Sequence, residues 1–225
     1  MTKGIIFDFN GTLFWDSQLH YDAWREFSKK LRGYEFSDDE MRKYMFGRTN
    51  KDIIQYCIQK EPSDEMVESL ANEKESMYRK MCLKNKDCLK LADGACEFLD
   101  FLKEHNIPRT IATMSEWQNV KFYIDVFKLE NWFDLDKIVY SDGKIKGKPD
   151  PEIYTVATKK INVAPENCIV IEDALSGIQS AKDAHIGKII AIASLESHDL
   201  YKPLDCVYQI IDNFDEIDKS ILLNY

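Results

Sequence analysis

The hydrophobic positions change rhythm along the chain, and each change marks a different kind of structure. Gly4 to Phe9, GIIFDF, is a short continuous apolar run that ends in Asp8 and is followed by Asn10-Gly11, the pattern of a buried strand opening into a turn. From about Ser17 to Met81 the apolar residues recur at helical intervals. WREFSKKL, DEMRKYMF and KDIIQYCI read as amphipathic helices, and Ser63 is placed to cap another helix carrying Met66, Leu70, Met77, Tyr78 and Met81. No strand is predicted there. Beyond residue 89, helices at Ala95–Lys103, Trp117–Phe127, Pro151–Lys160 and Leu175–Asp183 alternate with strands at Thr110–Thr113, Lys137–Tyr140, Cys168–Ile171 and Lys188–Ile192. A short strand at Val207–Ile211 and a final helix close the chain. The alternation predicts an α/β fold: a Rossmann-like parallel-sheet core, residues 1–14 and 89–225, covered by helices on both faces and interrupted by an inserted all-helical cap domain, residues 15–88.

Charge narrows the choice of partner. The chain carries 30 Lys and Arg against 39 Asp and Glu, a net charge of −9, and no basic block, so a nucleic-acid backbone is not its expected ligand. A phosphorylated ligand would have to be a small molecule. No stretch approaches the roughly 20 apolar residues of a membrane helix, and Met1 leads almost directly into the first strand without a basic segment or cleavage site. A cytoplasmic protein without a membrane partner, and a monomer, is expected. Cys57, Cys82, Cys88, Cys96, Cys168 and Cys206 form no C-x-x-C pair and read as reduced thiols. The dinucleotide fingerprint G-x-G-x-x-G is absent.

Open parallel sheets bind ligands beyond the carboxyl ends of their strands, so the residues there are the candidates for chemistry. The first strand ends in Asp8, the second in Thr113 and Ser115, the fourth in Glu172 and Asp173, and Lys148 stands in GKPDP before a helix. Singly, each has an ordinary structural reading: a turn carboxylate, a solvated lysine, a strand-end threonine. Together, carboxylates, hydroxyls and a lysine describe a site for a divalent metal and a phosphate, with hard oxygens for Mg2+ and cationic or hydroxyl donors for phosphate oxygens.

These segments resemble a known family. DFNGTL at Asp8–Leu13, ATMS at Ala112–Ser115, GKPDP at Gly147–Pro151 and IEDALSGIQSA at Ile171–Ala181 are similar, in order and over nearly the whole chain, to the motifs of the haloacid dehalogenase superfamily. Within it they resemble the phosphatase and β-phosphoglucomutase branch with a helical cap. The resemblance implies that Asp8 is the nucleophile forming an aspartyl phosphate. It also implies that Mg2+ is held by Asp8, the Asn10 carbonyl and Asp173, with Glu172 acting directly or through water, and that Thr113 and Lys148 bind the phosphoryl oxygens. The activity so implied is Mg2+-dependent hydrolysis of a small phosphorylated metabolite, most simply a sugar phosphate. A β-phosphoglucomutase-like phosphotransferase and a catalytically weak phosphate-binding protein remain as alternatives.

One position departs from the family. Most of its phosphatases and mutases carry Asp two residues after the nucleophile as acid and base, whereas this chain has Asn10, which can hydrogen-bond but cannot exchange a proton. Loss of such a group costs roughly 3–5 kcal/mol of barrier and weighs most on esters with poor leaving groups. A natural variant with specialised turnover, an introduced substitution that traps complexes, and a binder without useful catalysis all stay open. Asn10-Gly11 is also a pair prone to deamidation.

The cap would supply substrate contacts, and His20, Trp24, Arg48, Asn50 and Lys74 are its candidates, with Ser115 from the core. By resemblance, His20 corresponds to a cap histidine and Lys74 to a substrate-contacting lysine of β-phosphoglucomutase. Asn50 replaces that enzyme's second-phosphate arginine, with Arg48 two residues away. The ordinary readings stand beside these: His20 and Trp24, one helical turn apart, as packing, and Lys74 in EKE as a surface ion-pair partner. SDDE at Ser37–Glu40 reads as a capped, solvated helix start.

Overall fold

A computed structural model describes residues 3–45, 48–87 and 89–223, with only the backbone of Arg42. Phe46 and Cys88, which the sequence reading assigned to a helix and to the reduced thiols, lie outside the described residues. The chain forms two compact units, Met1–Trp15 with Lys90–Tyr225, and Asp16–Leu89.

The first unit is built on six parallel strands, β1 (Gly4–Phe7), β2 (Arg109–Glu116), β3 (Val139–Ser141), β4 (Cys168–Glu172), β5 (Lys188–Ile192) and β6 (Val207–Ile211), in the order β3-β2-β1-β4-β5-β6. Helices α5 (Ala95–Glu104), α6 (Trp117–Phe127), α7 (Glu152–Ile161) and α8 (Leu175–Asp183) alternate with the strands. Period-2 alternation sends neighbouring side chains of β1 to opposite faces. Ile6 packs with Ile153, Tyr154 and Ala157 of α7 and with Ile178 of α8. Phe7 meets the rings of Phe98, Phe133 and Phe214 on the other face, at centroid distances of 6.2, 5.9 and 6.1 Å. Burial on both sides explains why GIIF and CIVIE are nearly unbroken apolar runs. Phe7 pairs with Ile111 on one side and Ile171 on the other, which puts the ends of β1, β2 and β4 at one edge of the sheet.

The second unit is four helices, α1 (Ser17–Arg32), α2 (Asp38–Tyr44), α3 (Asn50–Ile58) and α4 (Asp64–Lys84). Their inner faces meet around Trp24, Phe27, Phe36, Met41, Ile53 and Ile54. Ser37 with Glu40 and Thr49 with Asp52 form reciprocal capping boxes, and Ser63 accepts from the Met66 amide.

Two expectations are corrected. The strand expected from Lys137 begins at Val139, because Asp134 caps a 3-10 turn at Leu135–Lys137. The expected final helix is replaced by 3-10 turns at Phe214–Glu216 and Lys219–Leu222, where Asn213 and Asp218 accept from amides two residues ahead and divert the backbone from helix. Among the described residues, no helix is long and apolar enough to cross a membrane.

Candidate active site

The ends of β1 and β4 bring Asp8, Glu172 and Asp173 together in the first unit, and the loop before α7 adds Lys148. The Asp8 amide donates to Ile171 O at 3.0 Å, which ties the residue to the end of β4. Lys148 Nζ then donates to Asp8 Oδ1 at 2.6 Å and to Glu172 Oε1 at 2.5 Å. Glu172 also accepts from the Tyr154 hydroxyl at 3.1 Å and from the Ala174 amide at 2.8 Å, so it anchors the lysine from the sheet side. Asp173 accepts from Thr12 Oγ1 at 3.1 Å, and its carbonyl accepts from the Tyr201 hydroxyl at 2.7 Å.

A second set of bonds gathers Asn10, Thr113 and Ser115. Ser115 Oγ donates to Asn10 Oδ1 at 2.7 Å, Thr113 Oγ1 donates to the same oxygen at 3.4 Å, and Asn10 Nδ2 donates to the Tyr123 hydroxyl at 2.8 Å. The intervening turn depends on Gly11: its φ is +78°, and a Cβ there would collide with the Asp173 carboxylate.

Burial dominates the electrostatics. It raises the Asp8 pKa, Lys148 lowers it and Glu172 raises it again, for a net shift from 3.8 to about 7. Burial, with Glu172 and Asp8 nearby, pushes Asp173 well above the usual carboxylate range. Burial disfavours the Lys148 ammonium, but Asp8 and Glu172 outweigh it and hold the group well above its ordinary value. Buried beside Glu172, the Tyr154 phenol is raised as well.

Asp8, Glu172 and Asp173 each offer an oxygen within 4.8 Å of the others. Three carboxylates facing one ammonium leave an excess of negative charge that burial cannot tolerate unaided, and a hard divalent cation would relieve it. The all-oxygen donor set fits Mg2+ rather than a soft metal.

The cap candidates lie in the second unit and do not form one group. His20, Trp24 and Lys74 share a cluster: the His20 ring stacks on Tyr78 with centroids 3.8 Å apart, Lys74 Nζ lies 2.9 Å from His20 Nδ1, and that ammonium sits 5.2 Å over the Trp24 ring. Lys74 is 2% exposed and paired with Glu75, which overturns its reading as a surface ion-pair partner: α4 turns it inward among aromatic rings. Arg48 is exposed just before α3, and Asn50 is that helix's first residue.

Sequence reasoning missed Thr12, Tyr123, Tyr154 and Tyr201. Thr12 lies inside DFNGTL and was within reach of the strand-end argument. The tyrosines lie outside the motifs, Tyr154 only three residues past GKPDP, at positions that look like ordinary core aromatics.

A family model described as haloacid dehalogenase-like hydrolase matches residues 5–192. The chain belongs to this family. The phosphorylated carbohydrates phosphatase of Thermotoga maritima is 30% identical over 190 residues, covering 84% of this hydrolase and 85% of that protein. The fructose-1-phosphate phosphatase YqaB of Escherichia coli is 29% identical over 181 residues, or 80% and 92% of the two chains. A crystal structure of a family IA, variant 3 HAD hydrolase from Entamoeba histolytica superposes with a TM-score of 0.93 at 43% identity, covering 98% of each chain.

Proposed function

We propose that this hydrolase is a Mg2+-dependent phosphatase acting on a small phosphorylated metabolite, a sugar phosphate, through an aspartyl phosphate on Asp8. The observation that carries the reading is the buried Lys148 ammonium bound at once to Asp8 and Glu172, beside Asp173. A lysine held there can take the oxygens of an arriving phosphoryl group without being drawn into solution, which offsets the repulsion between an anionic nucleophile and an anionic substrate. The relatives named for phosphorylated carbohydrates and fructose 1-phosphate support a carbohydrate substrate.

In the first step an Asp8 oxygen attacks phosphorus, and the bond from phosphorus to the sugar oxygen breaks. In the second, water attacks the same phosphorus and returns the Asp8 carboxylate with release of phosphate. Asp8, Asp173 and the Asn10 carbonyl would hold Mg2+, with Glu172 acting directly or through water. When bound, the ion supplies charge neutralisation at the phosphoryl group. Thr113 offers a hydroxyl to a phosphoryl oxygen. Asn10 orients water or the leaving oxygen by hydrogen bonding, while solvent supplies the proton that the sugar oxygen takes up in the first step and accepts the one that the attacking water loses in the second.

The test is phosphate release from a panel of sugar phosphates, nucleotides and acyl phosphates, with and without EDTA, in the native chain and in Asp8→Ala. Turnover on sugar phosphates that is lost with EDTA and in Asp8→Ala is expected. A folded Asp8→Ala protein as active as the native one would disprove the mechanism. Conversion of glucose 1-phosphate to glucose 6-phosphate without phosphate release would favour a mutase.

A further inference from the structure

Asparagine before glycine loses its amide readily, because little hinders the glycine nitrogen from reaching the side chain. In this fold both partners of that reaction are held. Ser115 and Tyr123 engage opposite ends of the Asn10 amide at 2.7 and 2.8 Å, with Thr113 at 3.4 Å beside Ser115. The Gly11 amide donates to Phe14 O at 2.7 Å. Tyr123 is 1% exposed and stacks on Phe9 with centroids 4.4 Å apart, so the phenol cannot follow a rotating amide.

We propose that Ser115 and Tyr123 are positioning residues that clamp Asn10 and preserve it as an amide, making the hydrogen-bonding side chain a maintained feature of the site. The catalytic side of this inference rests on the phosphatase reading above; the chemical side does not. In deamidation the Gly11 nitrogen gives up its proton and attacks Asn10 Cγ, the bond from Cγ to Nδ2 breaks, and ammonia leaves. Water then opens the cyclic imide to aspartate or isoaspartate. Asn10 Cγ must turn toward Gly11 N, which means releasing Ser115 and Tyr123, and Gly11 must give up its bond to Phe14.

Peptide mapping by mass spectrometry of chains aged in warm, mildly alkaline buffer reads the chemical side. With the bonds to Ser115, Tyr123 and Phe14 to break, each of about 1 kcal/mol, Asn10 should deamidate on the order of a hundredfold more slowly in the native protein than in the chain unfolded in urea. Tyr123→Phe keeps the ring and its stacking on Phe9 but removes the phenol oxygen, and should speed deamidation of the folded protein about fivefold. Ser115→Ala should do the same, and Ser115→Thr, which retains a hydroxyl, should restore the native rate. In turnover, Tyr123→Phe should lower kcat about fivefold with KM unchanged, because the substrate does not bind through this group.

Equal deamidation rates in native and unfolded chains, or in the native protein and folded Tyr123→Phe, would overturn the clamp. An unaltered kcat in Tyr123→Phe would overturn its positioning role. If the native protein turned over no phosphate compound at all, the phosphatase reading would fail while the deamidation rates still decided the clamp.

Discussion

The Lys148 ammonium stands 2.6 Å from Asp8 Oδ1, with both side chains less than one-tenth exposed. The contact joins stability to chemistry, because the same cation that would receive the phosphoryl group bridges Asp8 and Glu172, whose carboxylates would otherwise repel one another. Lys148→Met keeps much of the side-chain volume and removes the charge. Turnover should fall at least about 100-fold, the usual effect of losing one donor to a developing oxyanion. Metal-free protein should lose about 3–5 kcal/mol, because Asp8 and Glu172 are left buried without their partner. Urea titrations in EDTA and in Mg2+ would check this, with Mg2+ restoring part of the loss.

Proton and metal binding should compete at Asp8. Its pKa in the folded chain is raised from 3.8 to about 7, with burial as the main cause. Protonated Asp8 therefore favours the folded state: its contribution to metal-free stability is fully present below 3.8 and is lost as pH rises through about 7. A divalent cation requires the ionised form, so Mg2+ affinity should fall at least about tenfold for each pH unit below the Asp8 pKa. Asp173, also raised, steepens the dependence. Calorimetric titration across this range, in buffers of different ionisation enthalpy, would measure the protons released; an affinity independent of pH would contradict the argument.

Thr12 is fully buried and donates to Asp173 at 3.1 Å. Thr12→Val keeps the shape and removes the donor. Groups that orient a metal-binding carboxylate typically support about 10–100-fold in affinity, so Mg2+ binding should weaken by that factor with the fold unchanged. Equal Kd values for the two proteins would leave Thr12 a packing residue.

Asn10→Asp introduces a carboxyl group where Ser115 and Tyr123 now hold an amide. General acid-base catalysis contributes about 100-fold or more, and at least about tenfold should be gained on unactivated sugar phosphates, with a smaller gain on acyl phosphates. An unchanged rate ratio between the two substrate types would show that proton transfer to the leaving oxygen does not limit turnover.

What could be read in the chain before its fold was known follows from how local each signal is. Asp8, Glu172 and Asp173 were legible because a buried strand announces where it ends and a parallel sheet puts those ends together. Lys148 was legible from its place in GKPDP. Tyr123 and Tyr154 were not: each lies on a helix where an aromatic residue satisfies the core pattern, and only the three-dimensional packing shows that their hydroxyls reach Asn10 and Glu172. The end of the chain was misread for the opposite reason. Its apolar spacing suits a helix, but Asn213 and Asp218 bind amides two residues ahead and stop one from forming. Lys74 shows the limit of charge patterning, since EKE looks solvated until α4 is placed against α1.

The Lys74–Glu75 pair offers a separate test within the second unit. The ammonium is 2.9 Å from Glu75 Oε1 and 2.9 Å from His20 Nδ1, and it lies 5.2 and 5.6 Å from the Trp24 and Tyr78 rings. Side-chain exposure is 2% for Lys74 and 10% for Glu75, so removing one charge takes a close counter-charge from the other in a dry environment. Lys74→Met should destabilise by about 3–5 kcal/mol. Lys74→Met with Glu75→Gln should be less harmful than Lys74→Met alone, because the carboxylate charge that Lys74 balances is removed with it and a buried ion pair contributes little net stability over neutral groups of similar volume. Urea unfolding of the two single variants and the double variant gives the coupling energy directly. Strictly additive losses would show that Lys74 acts through His20 and the aromatic rings rather than through Glu75.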